Sequence, residues 1–212
     1  MTELEISQNR DAFRALCREH IRRDGLERLL EYLDTTDFYT APSSSMYHLN
    51  EDGGLCLHSM NVFHAAMKLY ESLGREVLAS GEGPFRGEIS AESIAVSTLF
   101  HDLCKMNFYH KTERWKKDET GRWVSYPGYE VKDDLPLGHG EKSCYIVRGF
   151  IKLQRDELLA IRWHMGMFDM GDSGSSLIRS FRNALEQSPL VSLVHSADFL
   201  ASNLMEVTQK YK

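Results

Sequence analysis

The chain has 212 residues, of which 42% are hydrophobic and 26% charged, a composition that supports a folded core and excludes extended disorder. Its formal net charge of −6 disfavours bulk nucleic-acid binding, although a small anionic substrate needs only a local positive site. The N-terminus lacks a basic segment followed by an apolar run, and no apolar run approaches the ~20 residues that span a membrane. We therefore expect a cytoplasmic protein without a membrane partner.

Apolar residues three and four positions apart predict a mostly helical chain. Two N-terminal helices are predicted over SQNRDAFRALCREHI and DGLERLLEYLD, with Ser7 and Asp24 as N-caps. After a glycine-marked loop, a third helix is predicted over LCLHSMNVFHAAMKLYESLG and ends at Gly74. The next predicted helix, AESIAVSTLFHDLCKM, has Ser90 at its N-cap.

The character of the sequence changes after Asn107. Aromatic and β-branched residues around the polar turn KKDETGR predict a short β-hairpin near residues 108–130. Helices resume over GEKSCYIVRGFIKL and RDELLAIRWHMG, and a Gly/Ser-rich loop, GDSGSS, precedes SLIRSFRNALEQ and SPLVSLVHSADFLASNLMEV. Ser188 and Pro189 are predicted at N-cap and N1 of the last helix. We therefore predict an all-α helical bundle with a small β-hairpin insertion.

The cysteines are widely separated and form no CxxC pair, so we expect reduced, buried thiols rather than a structural zinc site. They are Cys17, Cys56, Cys104 and Cys144.

Histidine and aspartate side chains recur near predicted helix ends, and one further aspartate lies inside the last predicted helix. In chain order they are His58, His101, Asp102, His139, His164 and Asp198. Each histidine alone is more often a hydrogen-bonded core residue, but Asp198 lies on an apolar segment, where aspartate is rarely buried unless it is paired or metal-bound. Imidazole and carboxylate groups together suit Mn²⁺, Fe²⁺, Ni²⁺ or Zn²⁺.

The order H … HD … H … H … D resembles that of the HD-domain metal-dependent phosphohydrolases, an all-helical superfamily. Four segments look like the HD part of certain 3′–5′ exoribonucleases: FYTAPSSSMYHLNEDGGLCLHSMNV, LFHDLCK, LGHGEKS and LVHSADFLAS. The resemblance covers about Phe38 to Asn203. It implies one HD-type domain over residues 1–212, with N-terminal helices in 1–35 and an HD core over 38–203.

The resemblance also implies a binuclear centre of two divalent transition metals, Mn, Fe, Ni or Zn. One metal is expected among His58, His101, Asp102 and Asp198, and Asp102 bridges to a second metal held by His139 and His164. Asp102 and Lys105 are the expected catalytic residues. Lys105 is expected on the helix face of His101 and Asp102, contacting the substrate phosphate and stabilising transition-state charge, with a solvated lysine as the alternative.

His48 matches a histidine of the exoribonuclease branch and is expected to bind substrate or to support a metal ligand; an exposed loop histidine is the alternative. His195 is expected to pack or to act as a partner rather than as a ligand.

Two positions depart from the family pattern. Cys104 replaces the usual glycine of HD-x-G-K and is expected to leave the metals alone while altering helix packing. His164–Met165 stands where exoribonuclease relatives often have two histidines. Those relatives also carry an OB-fold that the roughly 35 preceding residues cannot hold, so long nucleic acid is a less expected partner.

The resemblance predicts a metal-dependent phosphohydrolase or phosphodiesterase that acts on a small phosphorylated partner, a nucleotide or short oligonucleotide. Aromatic residues of the hairpin are expected either to cover the site and stack on a base or to form a small aromatic core: Trp115, Trp123, Tyr126 and Tyr129. The alternatives are a di-iron oxygenase of the inositol-oxygenase type and a non-catalytic ligand-binding HD module. The sequence leaves the oligomeric state open.

Overall fold

The computed structural model describes residues 1–80, 85, 88–169 and 175–207. The α-helices in these ranges are α1 (Glu3–His20), α2 (Leu26–Asp34), α3 (Gly54–Leu69), α4 (Arg75–Ser80), α5 (Ala91–Leu99), α6 (His139–Arg148), α7 (Arg155–Trp163), α8 (Ser175–Gln187) and α9 (Pro189–Leu200). Strands β1 (Tyr109–Lys117) and β2 (Trp123–Val131) form one antiparallel hairpin. The predicted all-α class with a hairpin insertion is confirmed. Most of the predicted GDSGSS loop lies outside the described residues.

The core is a ring of four helices. Helix α3 packs against α5 and α9, and α7 packs against the same two helices, so that the order around the ring is α3, α5, α7, α9. The packed faces consist of fully buried aliphatic and aromatic side chains, such as Leu55, Ile94 and Val194. Helix α6 packs on α7, while α1 covers α3 and α5. Each helix of the ring is thus held on its apolar face, and one polar cluster lies among the ring residues.

The N-terminal helices begin at residues other than those predicted. Helix α1 starts four residues before Ser7, because Thr2 and Glu5 form a reciprocal capping box. Helix α2 has Gly25 rather than Asp24 at its N-cap, with a left-handed φ of 91°. A side chain at this glycine would collide with the Phe150 carbonyl oxygen. Both predicted caps were therefore wrong, although both helices exist.

The third helix does not end at Gly74. After Leu69 it passes through one π-helical turn, Tyr70–Gly74, and continues as α4. Gly74 is therefore a residue within a continuous helical segment and not a C-cap, which corrects the prediction.

Helix α5 begins as predicted but ends early. The Ser90 side chain accepts a hydrogen bond from the backbone N–H of Ser93, which confirms the N-cap. The helix ends at Leu99, and a separate 3₁₀ turn covers Leu103–Lys105. His101 and Asp102 therefore lie in the break between two helical segments. The prediction that Lys105 shares a helix face with them was wrong.

The hairpin is hydrogen-bonded to the helical domain at its base, and its tip is exposed to solvent. Asp52, in the loop before α3, accepts hydrogen bonds from Lys111 Nζ (2.7 Å) and from the Tyr129 hydroxyl (3.4 Å). At the tip, Trp115 and Trp123 are 59% and 64% exposed, so these two tryptophans do not form the small aromatic core that was one of the two expectations.

Among the helices that the structure describes, none has the length and apolar character needed to cross a membrane.

Candidate metal centre

The six predicted ligands converge from five separate segments. They are His58 on α3, His101 and Asp102 after α5, His139 at the first turn of α6, His164 at the end of α7, and Asp198 on α9. Groups of three from this set have ligand atoms within 4.8 Å of one another, in particular His58–His101–Asp198 and His101–Asp102–His164. The structure therefore brings together all six residues.

Two histidines are oriented by the helices that they terminate. The last carbonyls of a helix have no partner within it. The His101 Nδ1–H donates to the Thr98 carbonyl (2.6 Å), and the His164 Nδ1–H donates to the Ile161 carbonyl (2.7 Å). In both rings this hydrogen bond fixes the proton on Nδ1 and leaves the Nε2 lone pair directed into the cluster.

The Nε2 atom of His164 is the clearest sign of a missing partner. It is fully buried and lies 3.3 Å from Asp102 Oδ1, yet it makes no hydrogen bond within the described residues. Buried polar atoms are normally satisfied, and an imidazole whose other nitrogen is occupied by a carbonyl is a typical metal ligand.

Asp102 faces a different pair of histidines with each of its oxygens. Oδ1 lies 2.8 Å from His139 Nε2 and 3.3 Å from His164 Nε2. Oδ2 lies 3.4 Å from His101 Nε2 and 3.6 Å from His58 Nε2. The carboxylate thus lies between two histidine pairs, one oxygen toward each.

Asp198 completes the His58 side of the cluster. Its Oδ1 lies 3.3 Å from His58 Nε2, and the residue is buried. The His58–Asp102–Asp198 arrangement explains why an aspartate is tolerated on the otherwise apolar helix α9, since a buried carboxylate requires charged or hydrogen-bonding partners.

Glu206 belongs to the site and was not predicted. It is buried just beyond the π turn Ala201–Met205, and its carboxylate accepts hydrogen bonds from His58 Nδ1 (3.0 Å) and Asn61 Nδ2 (2.9 Å). A carboxylate on Nδ1 fixes a ligating histidine in the same way as the two carbonyls do. The sequence offered one weak signal, an acidic residue eight positions after Asp198 at the end of an apolar helix.

The carboxylates and the cationic side chains of the cluster shift one another's pKa values. Burial alone lowers the pKa of His58, but hydrogen bonds with Asp198 and Glu206 outweigh burial and raise it to about 10. Burial alone raises the pKa of Asp102, but the positive charges of Lys105 and His101 hold it well below its usual range. The metal-free site therefore contains ionised carboxylates balanced by cationic side chains.

Lys105 is buried and paired rather than solvated. Its Nζ lies 2.6 Å from Asp102 Oδ2, the oxygen that His58 and His101 also face. Burial tends to lower the pKa of Lys105, whereas Asp102 raises it above the usual lysine value, so the ammonium stays charged. The solvated-lysine alternative is excluded by this burial; contact with a phosphate stays a prediction.

His48 lies beside the cluster and is half-buried. Its ring centroid is 4.9 Å from that of His58, and its Nε2 is buried with no hydrogen-bond partner in the described part of the chain. Burial, followed by the nearby charges of His58 and Lys105, lowers the pKa of His48 to about 4. This histidine is therefore neutral near pH 7 and not an exposed loop residue; its substrate contact stays a prediction.

His195 acts as a packing residue. Its Nδ1–H donates to the carbonyl of His164 (2.6 Å), and its ring lies so close to Gly166 that a side chain at that glycine would collide with it. Through this contact His195 positions the end of α7, from which the His164 ring projects.

The least buried predicted ligand is His139, whose side chain is 25% exposed. The other ligand side chains are between 0% and 11% exposed. Tyr109, at the start of β1, lies close to Lys105. Burial raises the pKa of Tyr109, and the charge of Lys105 offsets part of that rise. The cluster thus approaches solvent on the side of His139.

The donor set fits divalent cations. Imidazole nitrogens and carboxylate oxygens from distant segments meet in a buried cluster. The rings of His58, His101 and His164 are each held through Nδ1, and His164 Nε2 lies in the cluster without a hydrogen bond to any described residue. Asp102 has a histidine pair beside each of its two oxygens.

Comparison with known proteins gives one positive result. The family model described as the HD domain matches residues 57–203, a range that includes all six converging residues and Lys105. No curated protein and no solved structure matches the chain significantly. The match is to the HD domain as a whole and does not single out the exoribonuclease branch.

Proposed function

The chain belongs to the HD-domain family of metal-dependent phosphohydrolases, and from that premise we propose that it hydrolyses phosphoesters of a nucleotide or short oligonucleotide at a binuclear centre. The observation that carries the proposal is the position of Asp102, with one oxygen toward His139 and His164 and the other toward His58 and His101. A single-metal site has no need of two separate histidine pairs around one carboxylate.

The protein side chains have separable roles in this proposal. His58, His101 and Asp198 would hold one divalent cation, His139 and His164 would hold the other, and Asp102 would be shared between them. Two such cations supply Lewis-acid polarisation of phosphoryl oxygens and an activated water. The Lys105 ammonium, charged and 2.6 Å from Asp102, is placed to stabilise negative charge that develops on the phosphoryl group.

The hairpin supports a nucleotide-like substrate. The strand register places Tyr109, Trp115, Trp123 and Tyr129 on one face of the hairpin, because alternate residues of a strand point to the same side. This face extends from Tyr109, which lies near Lys105, to the exposed tryptophans at the tip. Lys117 Nζ lies over the Trp123 ring, 5.5 Å from its centroid. Aromatic rings with adjacent cations stack on bases and attract phosphates.

The decisive experiment combines metal analysis with a substrate panel. The purified chain is stripped with a chelator and reloaded with Mn²⁺, Zn²⁺, Ni²⁺ or Fe²⁺, and bound metal is measured. Hydrolysis is then followed for phosphomonoesters, dinucleotides and short oligonucleotides. We expect about two metals per chain and Mn²⁺-supported hydrolysis of at least one nucleotide substrate. His164→Ala should reduce bound metal to about one per chain, and Asp102→Ala should lose metal and activity together.

Other outcomes separate the alternatives. Full activity in Asp102→Ala would exclude hydrolysis at this centre. Iron binding with substrate-dependent O₂ uptake in anaerobically prepared protein would favour the oxygenase. Metal binding without turnover of any substrate would favour the non-catalytic module.

A further inference from the structure

Cys104 lies against the part of the cluster that is nearest to solvent. Its Sγ is 3.4 Å from His139 Nδ1 and 3.5 Å from His139 Nε2. Asp102, Cys104 and His139 each offer one ligand atom, and these three atoms lie within 4.8 Å of one another. The thiol therefore lies close enough to two of the expected metal ligands to share a cation with them.

The position of Cys104 is fixed by its backbone. Cys104 is the middle residue of the 3₁₀ turn Leu103–Lys105, and its N–H donates to the Ser143 hydroxyl (3.1 Å). Ser143 lies on α6, one turn after His139. This hydrogen bond ties the turn to the helix that carries His139, so the thiol and the imidazole are held against each other.

The thiol is available for coordination. All four cysteines are free and buried, as the sequence predicted. Within the described ranges, Cys104 is the only one of them found in a group of possible metal donors. Cys144, which lies on α6, instead donates its S–H to the Leu158 carbonyl (3.5 Å). A thiolate is a soft ligand that favours Zn²⁺ or Co²⁺ over Mn²⁺ and Mg²⁺.

We propose that Cys104 is a metal ligand, joining His139 and Asp102 and making this half of the centre selective for a thiophilic divalent cation such as Zn²⁺. Coordination breaks the S–H bond, and the proton passes to solvent on the exposed side of His139. This proposal differs from the expectation that Cys104 leaves the metals alone. The inference rests on the metal centre of the proposed function.

The test uses Co²⁺ as a spectroscopic probe of the full-length, metal-stripped protein. Wild type, Cys104→Ser and the matched control Cys144→Ser are titrated and their absorption spectra recorded. We expect an intense thiolate-to-Co²⁺ charge-transfer band in wild type and in Cys144→Ser. Cys104→Ser should lose that band and retain the weaker visible bands of Co²⁺ bound by histidine and carboxylate. Its preference for Zn²⁺ over Mn²⁺ should fall about tenfold or more.

X-ray absorption of the zinc-loaded wild type provides a measurement that needs no variant to fold, with a sulfur neighbour expected at about 2.3 Å. Three results would each overturn the inference while leaving the proposed function intact. They are Co²⁺ binding to wild type without a charge-transfer band, a charge-transfer band that persists in Cys104→Ser, and bound zinc without a sulfur neighbour. Failure of the wild type to bind any divalent metal would overturn the proposed function itself.

Discussion

Lys105 Nζ lies 2.6 Å from Oδ2 of Asp102, and both side chains are buried in the cluster. This pair joins the expected bridging carboxylate to the expected phosphate-binding cation. In the metal-free protein it also makes Lys105 the closest positive charge to Asp102.

We expect Lys105→Met to destabilise the metal-free protein by about 3 kcal/mol, because removing one partner leaves a buried carboxylate without its nearest cation. The loss should shrink when Mn²⁺ is bound, since the metal supplies positive charge at the same carboxylate. Denaturant unfolding with EDTA and with Mn²⁺ measures both values. Turnover should fall while bound metal stays constant.

The control is Lys111→Met, which removes an exposed ion pair with Asp52. Equal destabilisation of Lys105→Met with and without metal would show that Lys105 acts through packing, and unchanged turnover would remove its catalytic role.

Metal affinity should rise steeply with pH because His58 must lose a proton to bind. Hydrogen bonds with Asp198 and Glu206 raise its pKa to about 10 from the ordinary value of 6.5. Between these two values a proton competes with the metal, so affinity should increase about tenfold per pH unit. Conversely, the stability that protonated His58 gives the metal-free protein is complete below pH 6.5 and is lost as the pH rises through about 10.

Glu206→Gln should flatten this pH dependence, since an uncharged amide raises the pKa of His58 less than a carboxylate does. Competition titrations with a metal indicator from pH 6 to pH 9 measure the slope. Glu186→Gln, an exposed change on α8, is the control and should leave the slope unchanged. An identical slope in Glu206→Gln would show that Glu206 does not set the protonation of His58.

Trp115→Ala and Trp123→Ala should weaken the binding of nucleotide substrates. Stacking of a base on an aromatic ring contributes ~1–3 kcal/mol, so each change should raise KM for a short oligonucleotide about fivefold or more. Hydrolysis of a small phosphoester without a base should be unaffected. Tyr145→Ala, which removes an exposed aromatic side chain from α6, provides the matched control. Equal KM values for all variants would assign no substrate contact to the hairpin tip.

Glu157→Ala should destabilise the fold without affecting metal content. Glu157 is fully buried at the start of α7, where it pairs with Arg23 through two hydrogen bonds of 2.5 and 2.6 Å and accepts a third from the Ser93 hydroxyl. Leaving Arg23 without this partner should cost about 3–5 kcal/mol. Chemical denaturation measures the loss.

Glu27→Ala removes an exposed pair with Arg18 and should cost little, because solvent screens that interaction. If Glu157→Ala lost as little unfolding free energy as Glu27→Ala, the buried Arg23–Glu157 pair would contribute no more to stability than the exposed Arg18–Glu27 pair.

Several features of the site were predictable because they depend on residue type and order alone. The segments around His58, His101–Asp102, His139, His164 and Asp198 carry the chemical donors, and their position near helix ends follows from the apolar pattern and from local signals such as Ser90 and Pro189. Hydrogen bonds between residues three or four positions apart depend on nearby residue types, so the sequence predicts them. The prediction of an all-α fold with a hairpin near residues 108–130 succeeded for the same reason.

Where helices begin, bend and end was less predictable. Helix α5 ends before His101, whose imidazole donates to the Thr98 carbonyl, and the third helix continues past Gly74 through a π turn. In both cases the apolar spacing and the local signals of the sequence predicted a different boundary.

The sequence by itself therefore determined the identity and order of the donors, the helical class and the family to which the chain belongs. Only the tertiary structure decided that Asp102 divides its oxygens between two histidine pairs, that Lys105 is buried against it, that Glu206 fixes His58 and that Cys104 faces His139. These relations join residues up to 148 positions apart, and their distances are set by how α3, α5, α6, α7 and α9 pack. No local pattern encodes such a distance, because it depends on the shape of every side chain between the helices.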